Sequence, residues 1–316
     1  MPNSIDGVLI VDKPEGLTSH DVVARLRRTL KTKRIGHTGT LDPFATGVLV
    51  MLIGKATRLA RFLDNDQKEY EAIARFGFET DTGDRTGELR ITNYKLRKFS
   101  GEELEKVLTD FRGEIEQTPP MYSAKKVDGK KLYELARKGV EVERKPVRVT
   151  IYELEAIKSN QLPVVGNQLE SEDQNPKIED CAFRVVCSAG TYVRTLAEDI
   201  GRKLGVGAHL AELRRTGAGK FDLSKAVTIE GLEKIVEAGK LDEHLISMNE
   251  AVSHLPAIVL NEQEIKDTQN GKKLKSEQAE IADKQLVRMI DAAENLLAIG
   301  YYQQEEKAVQ PKLVLI

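Results

Sequence analysis

An α+β fold with antiparallel strands, extended by a small C-terminal β-barrel, is what the 316-residue sequence predicts. Three observations point to it. Val22, Val23, Leu26 and Leu30 form an apolar stripe at helical spacing whose opposite face carries arginines. Residues 68–78 alternate with period two, setting Tyr70, Ala72, Ala74 and Phe76 on one face against Glu71, Ile73 and Arg75 on the other, as an antiparallel strand does. Beyond about residue 250, short strand-like runs separated by Gly and Asn turns suggest the barrel. The length suits one large domain, residues 1–250, and a small one, residues 251–316, each with its own core.

Ser19 is a good N-cap for the first helix. A glycine-rich loop over residues 36–47 follows, then the longest uninterrupted apolar run, Val48 to Ile53, which reads as a buried strand and is far too short for a membrane span. The alternating strand ends in the turn Thr80-Asp81-Thr82-Gly83-Asp84. Residues 118–146 run from Thr118-Pro119-Pro120 to Pro146 around a short helix at Leu132 to Arg137, and are expected to form a mobile basic flap. Residues 158–180, acidic and poor in apolar groups from Gln161 to Asp180, read as a flexible insertion. A strand at Ala182 to Val186 leads into a helix capped near Thr191, with Val193, Leu196, Ala197, Ile200 and Leu204 on its inner stripe and Gly205 as its stop. In the tail, Ala257 to Leu260 is strand-like and a short helix runs to Asn270-Gly271; further strands are expected at Leu286 to Ile290, Leu296 to Tyr302 and Leu313 to Ile316.

Composition excludes several classes. Hydrophobic residues at 40% and charged residues at 31% are ordinary globular values, which argues against wholesale disorder. The N-terminus lacks the basic and apolar regions of a secretory signal, so a cytoplasmic protein with no membrane role is expected. Cys181 and Cys187 lie six residues apart on one strand, roughly 20 Å at about 3.3 Å per residue, too far for a disulfide. With Phe183 and Val185 on the same face they read as core thiols of a reducing compartment. No Cys-x-x-Cys pair occurs and the five histidines show no ligand spacing, so no metal site is expected. Gly54-Lys55-Ala56-Thr57 fails as a P-loop because Ala56 stands where Ser or Thr is needed, and nothing resembles a G-x-S-x-G elbow.

The chemistry concentrates in Gly36-His37-Thr38-Gly39-Thr40-Leu41-Asp42-Pro43-Phe44-Ala45-Thr46-Gly47, which places one carboxylate between a basic helix and an apolar strand. Glycines 36, 39 and 47 permit positive φ and close approach of a ligand, while Pro43 biases Asp42 toward an extended conformation. Net charge is only −2, but residues 21–36 carry six cations against Asp21 alone and residues 118–150 nine against four acids, a net of +5 each. Beside the aspartate loop, these patches favour contact with phosphates.

The stretch Lys33 to Pro43 followed by Ala45 to Leu49 closely resembles the catalytic motif of the bacterial tRNA pseudouridine synthases of the TruB family. Gly7-Val8-Leu9 with Asp12-Lys13-Pro14-Glu15-Gly16-Leu17-Thr18-Ser19 resembles the opening motif of that family. Lys68-Glu69-Tyr70 and Gly190-Thr191-Tyr192-Val193-Arg194-Thr195-Leu196 follow in the same order. Four ordered motifs are a far stronger signal than any one of them. The resemblance implies a pseudouridine synthase fold, a mixed, mainly antiparallel sheet domain, with the tail as a divergent PUA-like RNA-binding domain.

Its implied reaction breaks the C1′–N1 bond of a uridine, turns the uracil and joins C5 to C1′, with no redox cofactor or metal. Asp42 is the candidate catalytic residue, as nucleophile or as base; the sequence does not choose between them. Arg194, at a helix start, is the candidate partner that keeps it ionised. Tyr70 matches an aromatic platform for a flipped base, His37 a residue that fills the space left behind or contacts RNA, and Leu213 a leucine lining the uracil pocket. Arg58 matches a basic position of the family that is often lysine. Lys125, Lys126, Lys130 and Lys131 are candidate contacts to the RNA backbone. The implied substrate is the tRNA T-arm uridine at position 55, acted on by a stand-alone enzyme, a monomer by default, with no obligate protein partner. Two rivals stay open: a relative that works with a guide RNA and partner proteins, and a non-catalytic RNA-binding or RNA-folding protein.

Overall fold

A computed structural model describes residues 5–64, 67–90, 94, 97–123, 125–127, 129–157, 180–276 and 281–316. The expected insertion lies outside the described residues except for Asp180, which pairs with Arg75 at 2.8 Å, and the side chain of Lys131 is also outside them.

The chain opens with β1 (Gly7–Lys13), α1 (Ser19–Thr29), β2 (Ile35–Thr38) and β3 (Thr46–Ile53). Thr18, not Ser19, is the N-cap of α1: its hydroxyl accepts from the Asp21 N–H and the Asp21 carboxylate accepts from the Thr18 N–H, a reciprocal capping box. Ser19 is thereby released inward to hold the loop that carries Asp42. A short 3₁₀ turn at Gly54–Leu59 and α2 (Ala60–Leu63) lead to β4 (Lys68–Phe76), whose buried face is the expected set Tyr70, Ala72, Ala74 and Phe76. The small pair β5 (Glu79–Thr80) and β6 (Leu89–Arg90) brackets the expected turn. Then come α3 (Gly101–Asp110) and β7 (Gly113–Gln117). The flap holds a hairpin of β8 (Lys126–Val127) and β9 (Lys130–Lys131), followed by α4 (Leu132–Ala136), which is anchored by the fully buried Leu132.

The long strands β10 (Val147–Ile157) and β11 (Asp180–Cys187) precede α5 (Val193–Leu204), which ends on Gly205 in the left-handed region at φ 74°. Cys187 is buried and Cys181 packs against the same cluster; both are free thiols whose pKa is pushed up to about 11 by burial. The central strand β12 (Ala208–Ala218) and its short partner β13 (Phe221–Asp222) are followed by α6 (Ile229–Glu237) and α7 (Met248–Ala251). The tail contains β14 (Ala257–Val259), α8 (Glu262–Gln269), β15 (Leu274–Lys275), β16 (Leu286–Ile290), β17 (Leu296–Gln303) and β18 (Ala308–Val314). The final strand thus begins five residues before the predicted Leu313, because polar Gln310 and Lys312 interrupt its apolar pattern.

The main sheet has the strand order β1-β3-β12-β4-β11-β10-β7, with β2 on β3 and β13 on β12. Every pairing in it is antiparallel except β12 on β3, which is parallel over two residue pairs, Arg214 with Thr46 and Arg215 with Gly47. The loop that carries Asp42 enters the sheet at that junction. Gly47 has φ +98°, and a Cβ there would stand 2.1 Å from the Arg215 carbonyl oxygen, so only glycine fits. Gly39 is also in the left-handed region, whereas Gly36 lies in β2 without positive φ, a correction to its expected role.

The all-apolar run of β3 has a structural cause: the strand is covered on both faces. Leu49, Met51 and Ile53 face α1 and α6 together with Leu9 and Val11 of β1. Val48, Val50 and Leu52, with Val8 and Ile10, share a core with Ile290, Leu296, Ile299, Leu313 and Leu315 of the tail. The five-stranded tail sheet, ordered β14-β16-β17-β18-β15, is therefore packed into the larger domain instead of hanging from it. A third cluster fills the opposite half of the sheet, beneath α3 and α5.

Candidate active site

The loop bearing Asp42 is tied down on both flanks. The Ser19 hydroxyl, 1% exposed, accepts from the Leu41 N–H at 3.0 Å and donates to the Leu41 carbonyl at 3.3 Å. The Gly39 N–H donates to Asp64 Oδ1 at 3.0 Å, and the Gly16 N–H donates to the Pro43 carbonyl at 2.8 Å. Lys13 Nζ, at the end of β1, donates to the carbonyls of Pro14 and Pro43 at 2.9 and 3.2 Å. Lys13 is fully buried, and this desolvation lowers its pKa to about 8 although Asp42 pulls the other way.

Arg194 reaches Asp42 from the second residue of α5, across 152 residues of sequence. Its Nε stands 3.0 Å from Asp42 Oδ2 and its Nη2 donates to Oδ1 at 3.3 Å, a two-pronged pair. The guanidinium is nearly sealed from solvent and its other donors are all used: Nη1 on the Thr82 carbonyl at 2.9 Å and on Asp84 Oδ2 at 3.3 Å, Nη2 also on the Tyr122 carbonyl at 2.6 Å. Asp84 is itself held by Thr82 Oγ1 and by the N–H and hydroxyl of Thr86. The structure buries the arginine between two aspartates.

The Asp42 side chain is 34% open to a cleft, with protein enclosing its other sides. That enclosure raises its pKa above the ordinary carboxylate value, Asp84 pushes the same way, and Arg194 and Lys13 oppose both. Arg194 and Lys13 are thus the groups that favour its ionised form.

The cleft has a volume of about 440 Å³, within the range of small-ligand sites. Asp42, Tyr70, Arg194 and Leu213 all line it, so four of the six substrate-site candidates converge there. Tyr70 stands opposite Arg215 in the β4–β12 register, and the Arg215 guanidinium donates to its phenolic oxygen. Burial raises the pKa of the phenol, which keeps its proton. Arg215, 1% exposed, also donates to the carbonyls of Val48 and Gly39 at 2.7 and 2.8 Å, stitching the Asp42 loop to the central strand.

The other two candidates lie apart. His37 sits on β2 outside the cleft lining, with its ring edge-on to His20 at 5.6 Å and its buried Nδ1 without a hydrogen-bond partner among the described residues. Arg58, in the 3₁₀ turn, donates to the carbonyl of Val314 in β18 and so joins the two sheets instead of lining the cleft. Lys125, Lys126 and Lys130 fall on or beside the β8–β9 hairpin and are not among the residues lining the cleft. Lys13, Asp84 and Arg215 are missed as individual residues by sequence reasoning. No local pattern separates them from charged neighbours such as Asp12, Asp81, Arg85 and Arg214. Among the described residues, no group of three or more His, Cys, Asp or Glu is arranged to hold a metal, and no helix is long and apolar enough to cross a membrane.

Comparison with known proteins agrees with this geometry. Residues 27–193 match the model for the N-terminal domain of TruB family pseudouridylate synthases, and residues 194–253 match a tRNA pseudouridylate synthase B C-terminal domain. Proteins named tRNA pseudouridine synthase B from Bacillus cytotoxicus and Geobacillus thermodenitrificans are 43% and 46% identical to the chain. The first alignment covers 99% of this chain and 98% of the relative, the second 84% and 85%. Among solved structures, an H/ACA ribonucleoprotein bound to a substrate RNA containing 2′-deoxyuridine aligns with TM-score 0.71 and 27% identity, over 98% of this chain and 85% of that one. A Cbf5–Nop10–Gar1 complex aligns with TM-score 0.71 and 26% identity, over 100% and 91%.

Proposed function

The chain belongs to the TruB family of pseudouridylate synthases, and on that footing we propose that it converts uridine to pseudouridine in tRNA, at position 55 of the T-arm, without guide RNA or partner protein. One observation supports this reading above the others: a carboxylate on the floor of a cleft, held two-pronged by a buried arginine, with a tyrosine and a leucine on the cleft walls. A uracil flipped from the T-arm stack would enter between Tyr70 and Leu213 and meet Asp42. The Asp42 carboxylate then acts on the nucleoside as nucleophile or base, both of which require the ionised form that Arg194 favours. The C1′–N1 bond breaks, C5 bonds to C1′, the hydrogen on C5 leaves as a proton and N1 gains one, so the reaction is a net isomerisation. Tyr70, which lines the cleft, is read as the ring that stacks on the base and as the group through which that proton is exchanged.

The five-stranded tail sheet is read as a PUA-like RNA-binding domain, with residues 251–316 as its extent. His37 and Arg58, outside the cleft, are assigned to the RNA around the flipped nucleotide. The test is tritium release from a T-arm hairpin labelled at uridine C5. Release by the protein alone is expected, and no release from bound RNA without a guide would sink the stand-alone reading.

The flap carries a second expectation. Replacing Lys125, Lys126, Lys130 and Lys131 by alanine should flatten the dependence of log K on log salt by roughly 0.7 to 0.9 for each phosphate that is no longer neutralised. Binding titrations between low and moderate salt measure that slope, and an unchanged slope removes the hairpin from the interface.

A further inference from the structure

Gln117 is the last residue of β7 and is fully buried. Its carboxamide pairs with the main chain of Tyr192 at both ends: the Tyr192 N–H donates to Oε1 at 3.0 Å, and Nε2 donates to the Tyr192 carbonyl at 3.3 Å. Tyr192 is the N-cap of α5, and its own side chain makes no capping hydrogen bond. The Gln117 amide therefore fixes the backbone from which Arg194 projects two residues later. The same segment reaches Arg194 again through the Tyr122 carbonyl, which accepts from Nη2 at 2.6 Å. Gln117 is also paired with Val147, the first residue of β10, so it closes the root of the flap across the sheet edge.

We propose that Gln117 is a positioning residue, which clamps the start of α5 to the root of the flap and thereby sets how Arg194 meets Asp42. The proposal rests on the reading of Asp42 as the reacting carboxylate. Nothing in the sequence singles out Gln117; its place follows from β7 lying at the sheet edge beside the start of α5.

Gln117→Met keeps the side-chain volume and deletes both hydrogen bonds. It is expected to lower kcat about tenfold, the scale of one lost buried hydrogen bond, while KM for the T-arm hairpin stays within about twofold. The acidic limb of the kcat profile should also move to higher pH. Asp42 is faced by Arg194 from α5, Lys13 from β1 and Asp84 from the turn, with Asp64, Lys68 and Arg215 elsewhere in the cleft. Loosening Arg194 weakens the main influence that favours the carboxylate, so ionisation needs a higher pH. A merely structural role would lower the active fraction without moving the limb. That outcome, or a change in KM alone, would overturn the proposal. Gln117→Glu, which keeps the acceptor for the Tyr192 N–H and loses the donor, is expected to shift the limb in the same direction if the methionine variant does not fold. A crystal structure of either variant separates this question from the functional one: Arg194 still paired two-pronged with Asp42 defeats the role of Gln117, whereas a silent wild type in the release assay defeats the function.

Discussion

Asp42→Asn is expected to bind the T-arm hairpin within about twofold of wild type and to lose turnover by at least roughly 10²- to 10⁴-fold, the range contributed by one positioned acid or base. The amide has the shape of the carboxylate and still fits between Arg194 and the loop, but it can neither attack nor accept a proton. Arg194 keeps Asp84 and the carbonyls of Thr82 and Tyr122, so it is not left as an unpaired buried charge. Parallel measurements of C5 tritium release and RNA binding separate the two effects. A large loss of affinity with turnover preserved at saturating RNA would assign Asp42 to binding.

The same substitution carries a stability signature whose sign follows from the raised pKa of Asp42. A carboxylate whose folded pKa lies above its unfolded value costs stability once both states would be ionised. That cost is full above the folded pKa and vanishes below the unfolded one. Asp42→Asn removes it, so the variant should melt at or above the wild-type temperature at neutral pH, and the difference should close as the pH falls below the ordinary carboxylate range. A group tuned for reaction at some expense in stability shows this pattern. A variant that melts lower at neutral pH and recovers in acid would mean that the ion pair with Arg194 outweighs burial.

The conformation of the Asp42 loop was legible because its signals are local. Glycines, Asp-Pro and the flanking apolar run lie within a dozen residues, and the structure keeps Gly39 and Gly47 in the left-handed region next to a buried β3. The α5 stripe and the alternation of β4 were legible for the same reason. Arg194 could be named only through resemblance to a family, because no local pattern says that a helix start meets a loop 152 residues earlier. The partners of the pair were less accessible still. Arg215 stands beside Gly47 and opposite Tyr70 only through the register of β12, a strand with two irregularities against β4. Gln117 sits at a sheet edge whose neighbour is chosen by topology. Ser19 shows a finer limit: hydroxyl residues at 18 and 19 are both good caps, and the loop that packs on the helix decides which one is used. The packing of the tail was not legible, for an energetic reason. Its composition suggests a separate small domain, but the apolar groups on one side of its sheet are half of a core shared with β1 and β3.

That shared core makes the second large effect one of folding. Truncation after residue 253 would remove Ile290, Leu296, Ile299, Leu313 and Leu315 from the cluster that covers Val8, Ile10, Val50 and Leu52, and would release Arg58 from the Val314 carbonyl. Each such side chain gains about 1.5–3 kcal/mol from burial, so uncovering the facing set costs on the order of 10 kcal/mol. A domain of this kind has about 5–15 kcal/mol in total. The truncated chain is therefore expected to be insoluble, or to unfold tens of degrees below the full chain, in place of behaving as a folded enzyme with weaker RNA affinity. Strands β1 and β3 also frame the loop that displays Asp42, so loss of their cover would reach the cleft through the Lys13 and Gly47 ends of the β1–β3 pairing. Thermal melts and size-exclusion profiles of the two chains measure this directly. A truncated chain with an unchanged melting temperature and only weakened binding would show that β1 and β3 hold without the tail, and would return the C-terminal sheet to the role of an RNA-binding appendage.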